Sequence, residues 1–146
     1  MGQRALNIGL DSTIFRNRPF LEWLREIGGY SIHISIIVYV ETLLWYKALG
    51  LTKEDFDSEL VKLRSEKRAI TDQIAESTTT LALRYRREYP FRQHARDYVI
   101  GTTAAAVGAA LITYNTDDFR WLRTEGHTVL TPEELVAQHL REGPNS

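Results

Sequence analysis

From Tyr98 to Thr116 the chain carries no charged side chain, and carboxylates flank that run, Asp97 before it and Asp117 and Asp118 after it. A stretch this long without charge has to be buried, in protein or in lipid. Its length approaches the about 20 residues of a membrane-spanning helix. It also holds Gly101, Gly108, Asn115 and several threonines with few large aliphatic residues, which predicts a packed helix and a central strand instead. Ala104 to Ala106 followed by Gly108 suits a helix that stops at a left-handed glycine. Ala109 to Thr113 then reads as a short buried strand. A strand, a polar loop and two carboxylates in succession put acids at the carboxyl edge of a sheet, where open α/β folds bind ligands.

The rest of the chain repeats the alternation of strand and helix. Ala5 to Leu10 predicts a first, central strand ending at Asp11. Asp11 alone reads either as a helix N-cap or as a strand-end acid. A helix over 14–27 follows, with Pro19 near its start and Gly28-Gly29 at its end. Ser31 to Ile36 predicts a second strand, and Ser35 caps a helix over about 36–49 that contains Glu41. Lys53 to Lys67 predicts a charged helix whose Phe56, Leu60, Val61 and Leu63 form either packing or partner-binding surface. Ala69 to Thr71 reads as a third strand, with Asp72 as a cap, or as a rival strand-end acid, for a helix that Pro90 ends. Thr128 to Leu130 reads as a fifth, edge strand, and Thr131-Pro-Glu-Glu is a capping box with proline at the first helical position. The expectation is one α/β domain over residues 1–142, a parallel sheet with helices on both faces, and a frayed tail at 143–146.

Composition removes several chemistries. At 146 residues the chain is one domain burying about two-thirds of its unfolded surface. It has no cysteine, so thiolate zinc sites, disulfides and cysteine nucleophiles are excluded. No signal peptide is evident at the N-terminus, which predicts a cytoplasmic protein. A net charge of −1 does not advertise a nucleic-acid binder. The charge is uneven, however: Arg84, Arg86, Arg87, Arg92 and Arg96 stand against Glu88 alone and lead into Asp97. They read either as a solvated helix face or as phosphate-attracting groups beside an acid site.

Asp11, Glu41, Asp97 and the Asp117/Asp118 pair come from separate segments, each near a predicted strand end or the helix after it. Glu41 is isolated in an apolar setting, and a buried carboxylate without a partner is expensive. Converging carboxylates repel unless a cation neutralises them. Mg2+ or Mn2+ is the natural partner of oxygen ligands and supports phosphoryl displacement without a protein nucleophile.

Three stretches stand out: Leu-Asp-Ser-Thr at 10–13, Ile-Ser-Ile-Ile-Val-Tyr-Val-Glu at 34–41, and Asp97-Tyr-Val-Ile with Thr-Tyr-Asn-Thr-Asp-Asp-Phe at 113–119. Together they resemble the PIN domain, and among PIN domains the VapC-type toxins of toxin–antitoxin pairs. The resemblance implies a sheet of order 3-2-1-4-5, a Mg2+- or Mn2+-dependent endoribonuclease, a homodimer, and an antitoxin whose tail lies in an apolar groove and blocks the acids. Position by position it makes Asp11, Glu41 and Asp97 metal ligands and Thr13 the small polar residue beside them. Asn115 falls where many members have aspartate. Asp118 is therefore expected to complete the metal and catalytic set, with Asn115 and Asp117 as polar support. Rival readings are a PIN nuclease of RNA processing, a non-catalytic interaction module, and a phosphoacceptor or nucleotide-binding α/β domain. The last lacks a glycine-rich phosphate loop after the first strand.

Overall fold

Parallel strands cannot be joined by tight hairpins, so each needs a crossover, and every strand here is followed by helix. β1 (Leu6–Leu10) passes through a 3-10 turn at Ser12–Arg16 into α1 (Arg18–Ile27), and β2 (Tyr30–Ser35) runs straight into α2 (Ile36–Ala48). After α3 (Lys53–Lys62) come β3 (Ser65–Arg68), α4 (Asp72–Arg84) and α5 (Phe91–Ala106). β4 (Ala110–Ile112) leads through a 3-10 turn at Thr116–Phe119 to α6 (Arg120–Thr124), and β5 (Val129–Leu130) to α7 (Pro132–Glu142). In the computed structural model, which describes residues 6–142, the five strands form one sheet of order β3-β2-β1-β4-β5. Every neighbouring pair is parallel, as the sequence predicts, and among the described residues seven helices surround the sheet. Ala5 and the tail at 143–146 lie outside the described residues.

The central strands are covered on both sides. Ile8 and Leu10 of β1, Ile32 and Ile34 of β2, and Leu111 and Ile112 of β4 are all buried, the continuous apolar reading that a doubly covered parallel strand requires. α5 lies close over β1: a Cβ placed on Gly9 would stand 3.4 Å from the Cβ of Ala104. The uncharged run is thus divided between α5 and β4. Among the described residues no helix is long and apolar enough to cross a membrane.

Four local expectations differ from the structure. The third strand is Ser65–Arg68, not 69–71, and the charged helix stops at Lys62. Its Ser-Glu-Lys-Arg sequence has no apolar alternation because β3 is the sheet edge, where charge is tolerated and discourages further pairing. Arg64, at φ 55°, makes the left-handed turn that lets α3 end there. Thr71 rather than Asp72 caps α4, its hydroxyl accepting the N–H of Ile74 at 3.2 Å. The 14–27 helix is broken at Asn17, whose side chain caps α1. Phe56, Leu60 and Leu63 are core residues packed under α2, so that face is packing, and only Val61 of the four points to solvent. The capping box at Thr131 forms as expected, Glu134 accepting from the Thr131 N–H at 2.9 Å and Thr131 accepting from the Glu134 N–H at 3.1 Å.

Candidate metal centre

β1 ends at Leu10, which brings Asp11 off the sheet at its carboxyl edge, beside the end of β4. Asp11 is fully buried. Its Oδ1 accepts the N–H of Ser12 at 2.8 Å; its Oδ2 accepts from the hydroxyls of Thr113 at 2.9 Å and Thr13 at 3.4 Å. The cap and the strand-end acid are one residue, since the same carboxylate that starts the 3-10 turn also faces the other acids.

Those acids arrive on helices. α2 starts at the edge of β2, where the Ser35 hydroxyl accepts the Ile37 N–H at 3.2 Å, and it carries Glu41 to the same end of the sheet. α5 crosses over the sheet and contributes Asp97, which is buried. Between the three carboxylates lies one guanidinium. Arg96 donates through Nη2 to Asp11 Oδ1 at 2.6 Å, through Nε to Glu41 Oε2 at 2.5 Å, and through Nη1 to Asp97 Oδ1 at 2.7 Å. Its Nη2 also donates to the Ser12 hydroxyl at 3.0 Å. Burial works against the Arg96 charge, but the hydrogen bond to Glu41 and the charges of Asp11 and Glu41 outweigh it and raise its pKa.

Asp118, in the 3-10 turn after β4, approaches from the other side. With His94 and Asp97 it forms a group whose potential ligand atoms lie within 4.8 Å of one another. His94 Nδ1 is 3.4 Å from Asp97 Oδ2. Burial raises the Asp97 pKa, the Arg96 charge pulls it back, and the Asp118 charge pushes it up again. That balance is what a carboxylate shared between a cation and another acid should show.

The remaining residues separate. Asn115 is exposed and uses its backbone N–H, which donates to the Thr113 hydroxyl at 3.0 Å. The Asp117 side chain is 88% exposed and faces Arg120 at 3.9 Å, away from the other acids. The arginines do not act as one patch. Arg84 is paired with Glu125 at 2.7 Å, Arg86 donates to the Leu83 carbonyl at 2.7 Å, Arg87 and Arg92 are exposed, and Arg96 is inside the acid cluster. Sequence reasoning passed over His94, whose signal is its position one helical turn before Asp97. It also passed over Ser12 and the buried Thr113.

The donor set fits a hard divalent cation. Asp11, Glu41 and Asp97 already direct one oxygen each at a single positive group. Glu41 Oε1 is buried with no hydrogen-bond partner among the described residues, so the site has acceptor capacity that its own side chains leave unused.

The PIN domain family model matches residues 12–124. Similar solved structures include a toxin–antitoxin complex from Klebsiella pneumoniae, 26% identical over 77% of this chain and 89% of that one, with a TM-score of 0.60. VapBC-1 from nontypeable Haemophilus influenzae is 17% identical over 88% and 99%, TM-score 0.65. VapBC2 from Rickettsia felis, bound to a fragment of its promoter DNA, is 22% identical over 86% and 97%, TM-score 0.54. No curated protein sequence matches. Among the described residues the family match leaves out β1 with Asp11 and the β5–α7 end, and the chain belongs to the PIN domain family of nucleases.

Proposed function

We propose that this PIN domain is a Mg2+- or Mn2+-dependent endoribonuclease and acts as the toxin of a toxin–antitoxin pair. The observation that carries the nuclease reading is the convergence of Asp11, Glu41 and Asp97, from three elements far apart in sequence, on one cationic position.

Asp11, Glu41 and Asp97 hold the ion, and Asp118 completes the set from the β4 side. His94 offers a nitrogen beside Asp97 and Asp118. When bound, Mg2+ or Mn2+ supplies Lewis-acid stabilisation of the charge that develops on the phosphoryl oxygens. The chain's own residues set the geometry. Thr113 and the Ser12 N–H fix the Asp11 carboxylate by donating to its two oxygens. Thr13 stands at the same carboxylate with a hydroxyl able to orient a water. Arg87 and Arg92, exposed on the approach from α4 to α5, attract the RNA backbone.

The toxin reading rests on the company the fold keeps, since the similar structures are toxin–antitoxin complexes. It also rests on α2, which carries Glu41 inward while Val40 and Leu44 face solvent, 56% and 68% exposed. An antitoxin tail laid against that apolar face would reach the acids. A homodimer is part of the same proposal.

The test is cleavage of total RNA by purified protein with Mn2+, with EDTA, and with Asp97→Asn. The expected result is cleavage in Mn2+ alone, abolished by EDTA and by the substitution, with the circular dichroism spectrum unchanged. An Asp97→Asn protein that cuts at the wild-type rate removes Asp97 from the site. Co-purification with the product of an adjoining small reading frame tests the antitoxin.

A further inference from the structure

Arg96 is placed differently from the other arginines of its segment. Its side chain is one-third exposed, yet it reaches three carboxylates and a hydroxyl at once. Among the described residues no other arginine or lysine contacts Asp11, Glu41 or Asp97. The oxygens it engages, Asp11 Oδ1, Glu41 Oε2 and Asp97 Oδ1, come from β1's end, α2 and α5. These three residues are also the ion ligands under the function proposed above, and the inference rests on that reading.

A guanidinium and a divalent ion make incompatible demands on one set of oxygens. The planar fork spends its N–H groups on in-plane carboxylate lone pairs. A hard cation needs those same lone pairs at about 2.0–2.2 Å and would then sit against a positive charge within a few ångströms. The two charges cannot share the cluster at low cost. Without Arg96, on the other hand, three carboxylates would face one another with nothing between them.

We propose that Arg96 is a built-in competitor of the divalent ion: it neutralises the acids of the metal-free protein, and the ion binds by displacing it. Arg96 is then a positioning residue that sets the metal affinity rather than a ligand. Its neighbour Asp97 stays in place while the flexible arginine side chain, one-third exposed, swings toward solvent. The site is held closed to weakly binding cations and opens to an ion that outbids a bidentate-capable guanidinium.

The decisive measurement is Mn2+ binding by titration calorimetry on metal-stripped wild type, Arg96→Met and Arg96→Lys, with Arg25→Met, exposed on α1, as a control for net charge. Expected is Mn2+ binding at least about tenfold tighter in Arg96→Met than in wild type, with Arg96→Lys between them and Arg25→Met unchanged. Metal-free Arg96→Met should also melt earlier than wild type and gain more in melting temperature from Mn2+. A purely structural arginine would give the opposite sign, since a disordered acid cluster binds metal worse. Equal or weaker binding by Arg96→Met overturns the proposal and leaves the metal site standing. If no variant and not the wild type binds Mn2+, both the proposal and the metal-dependent reading fall. Should Arg96→Met fold only with Mn2+, that rescue supports the proposal. Should it not fold at all, Arg96→Lys decides alone, and unchanged or weaker binding by it overturns the proposal.

Discussion

The Thr113 hydroxyl donates a 2.9 Å hydrogen bond to Oδ2 of Asp11, joining the ends of two adjacent parallel strands where the acid cluster begins. Both residues are fully buried, so the bond is shielded from water. The same hydroxyl accepts the Asn115 N–H and so shapes the loop that carries Asp118. Thr113→Val keeps the shape and removes both roles. It should cost about 1–3 kcal/mol, the range for leaving buried polar groups unsatisfied. Urea denaturation should show a lower midpoint with an unchanged slope. A midpoint within error of wild type would mean that the bond contributes nothing to stability.

Gly101 lies one turn beyond Asp97 on α5, against the fully buried Trp121. A Cβ there would stand 2.6 Å from Trp121 Cη2 and 2.9 Å from Cζ2. Trp121 is pinned by its Nε1–H, which donates to the Asp118 carbonyl at 2.9 Å. Gly101→Ala should therefore destabilise by about 1–3 kcal/mol despite its gain in helix propensity. It should also weaken Mn2+ binding, because α5 and the Asp118 turn are the parts pushed apart. A thermal melt at or above the wild-type temperature would contradict this.

His94→Ala separates the two sides of the acid cluster. Imidazole is a better donor to Mn2+ than to Mg2+, which prefers oxygen. If His94 takes part, the substitution lowers Mn2+ affinity by about tenfold, in the range seen when groups around a metal are removed, and leaves Mg2+ affinity nearly unchanged. Calorimetry with each ion reads the difference directly. Equal losses for both ions would assign His94 a structural role through its contact with Asp97.

Glu125 ties the loop after α6 to α4, accepting from Tyr85 Oη at 2.6 Å and Arg84 Nη1 at 2.7 Å. The Tyr85 and Arg84 hydrogen bonds hold its carboxyl below the usual glutamate range. A depressed folded pKa stabilises above the unfolded value, about 4.3, and that contribution is lost as pH falls through the folded value. Glu125→Gln should lower stability near neutrality, where the ionised carboxylate contributes fully, and flatten the acid side of the stability–pH curve below about pH 4.3, where wild type loses that contribution. An unchanged acid limb would show that the clamp is fully screened by solvent.

Arg87 and Arg92 are assigned to RNA attraction because they are exposed and bear no ion pair among the described residues. Replacing both with alanine should reduce the slope of log affinity against log salt for single-stranded RNA by about 0.7 for each lost contact. The measurement uses the Asp97→Asn protein, so that the RNA survives. An unchanged slope would move the phosphate path elsewhere.

The alternation of buried apolar runs with capped helices was readable in the chain. The capping box at Thr131 and the glycine stop after Ala106 follow from local rules that act over a few residues, whereas the strand order was implied by the resemblance to the PIN domain. Asp11, Glu41 and Asp97 were legible as candidates, because isolated carboxylates at the ends of apolar segments are conspicuous, and the fold brings the three together at Arg96. The edge strand was not: Ser65–Arg68 has no alternation, since one of its sides is solvent and its pairing comes from β2. Nor was the difference between Arg96 and the four arginines before it. All five look alike as a charge run. Only the packing of α5 over β1 and α2 turns one of them into the cluster, 2.6 Å from a residue 85 positions away. Local pattern thus determined most of the elements, the edge strand excepted, and the end of the sheet toward which the acids lie. Side-chain convergence decided what neutralises them, because electrostatic partners are chosen by distance in space, which spacing along the chain does not encode.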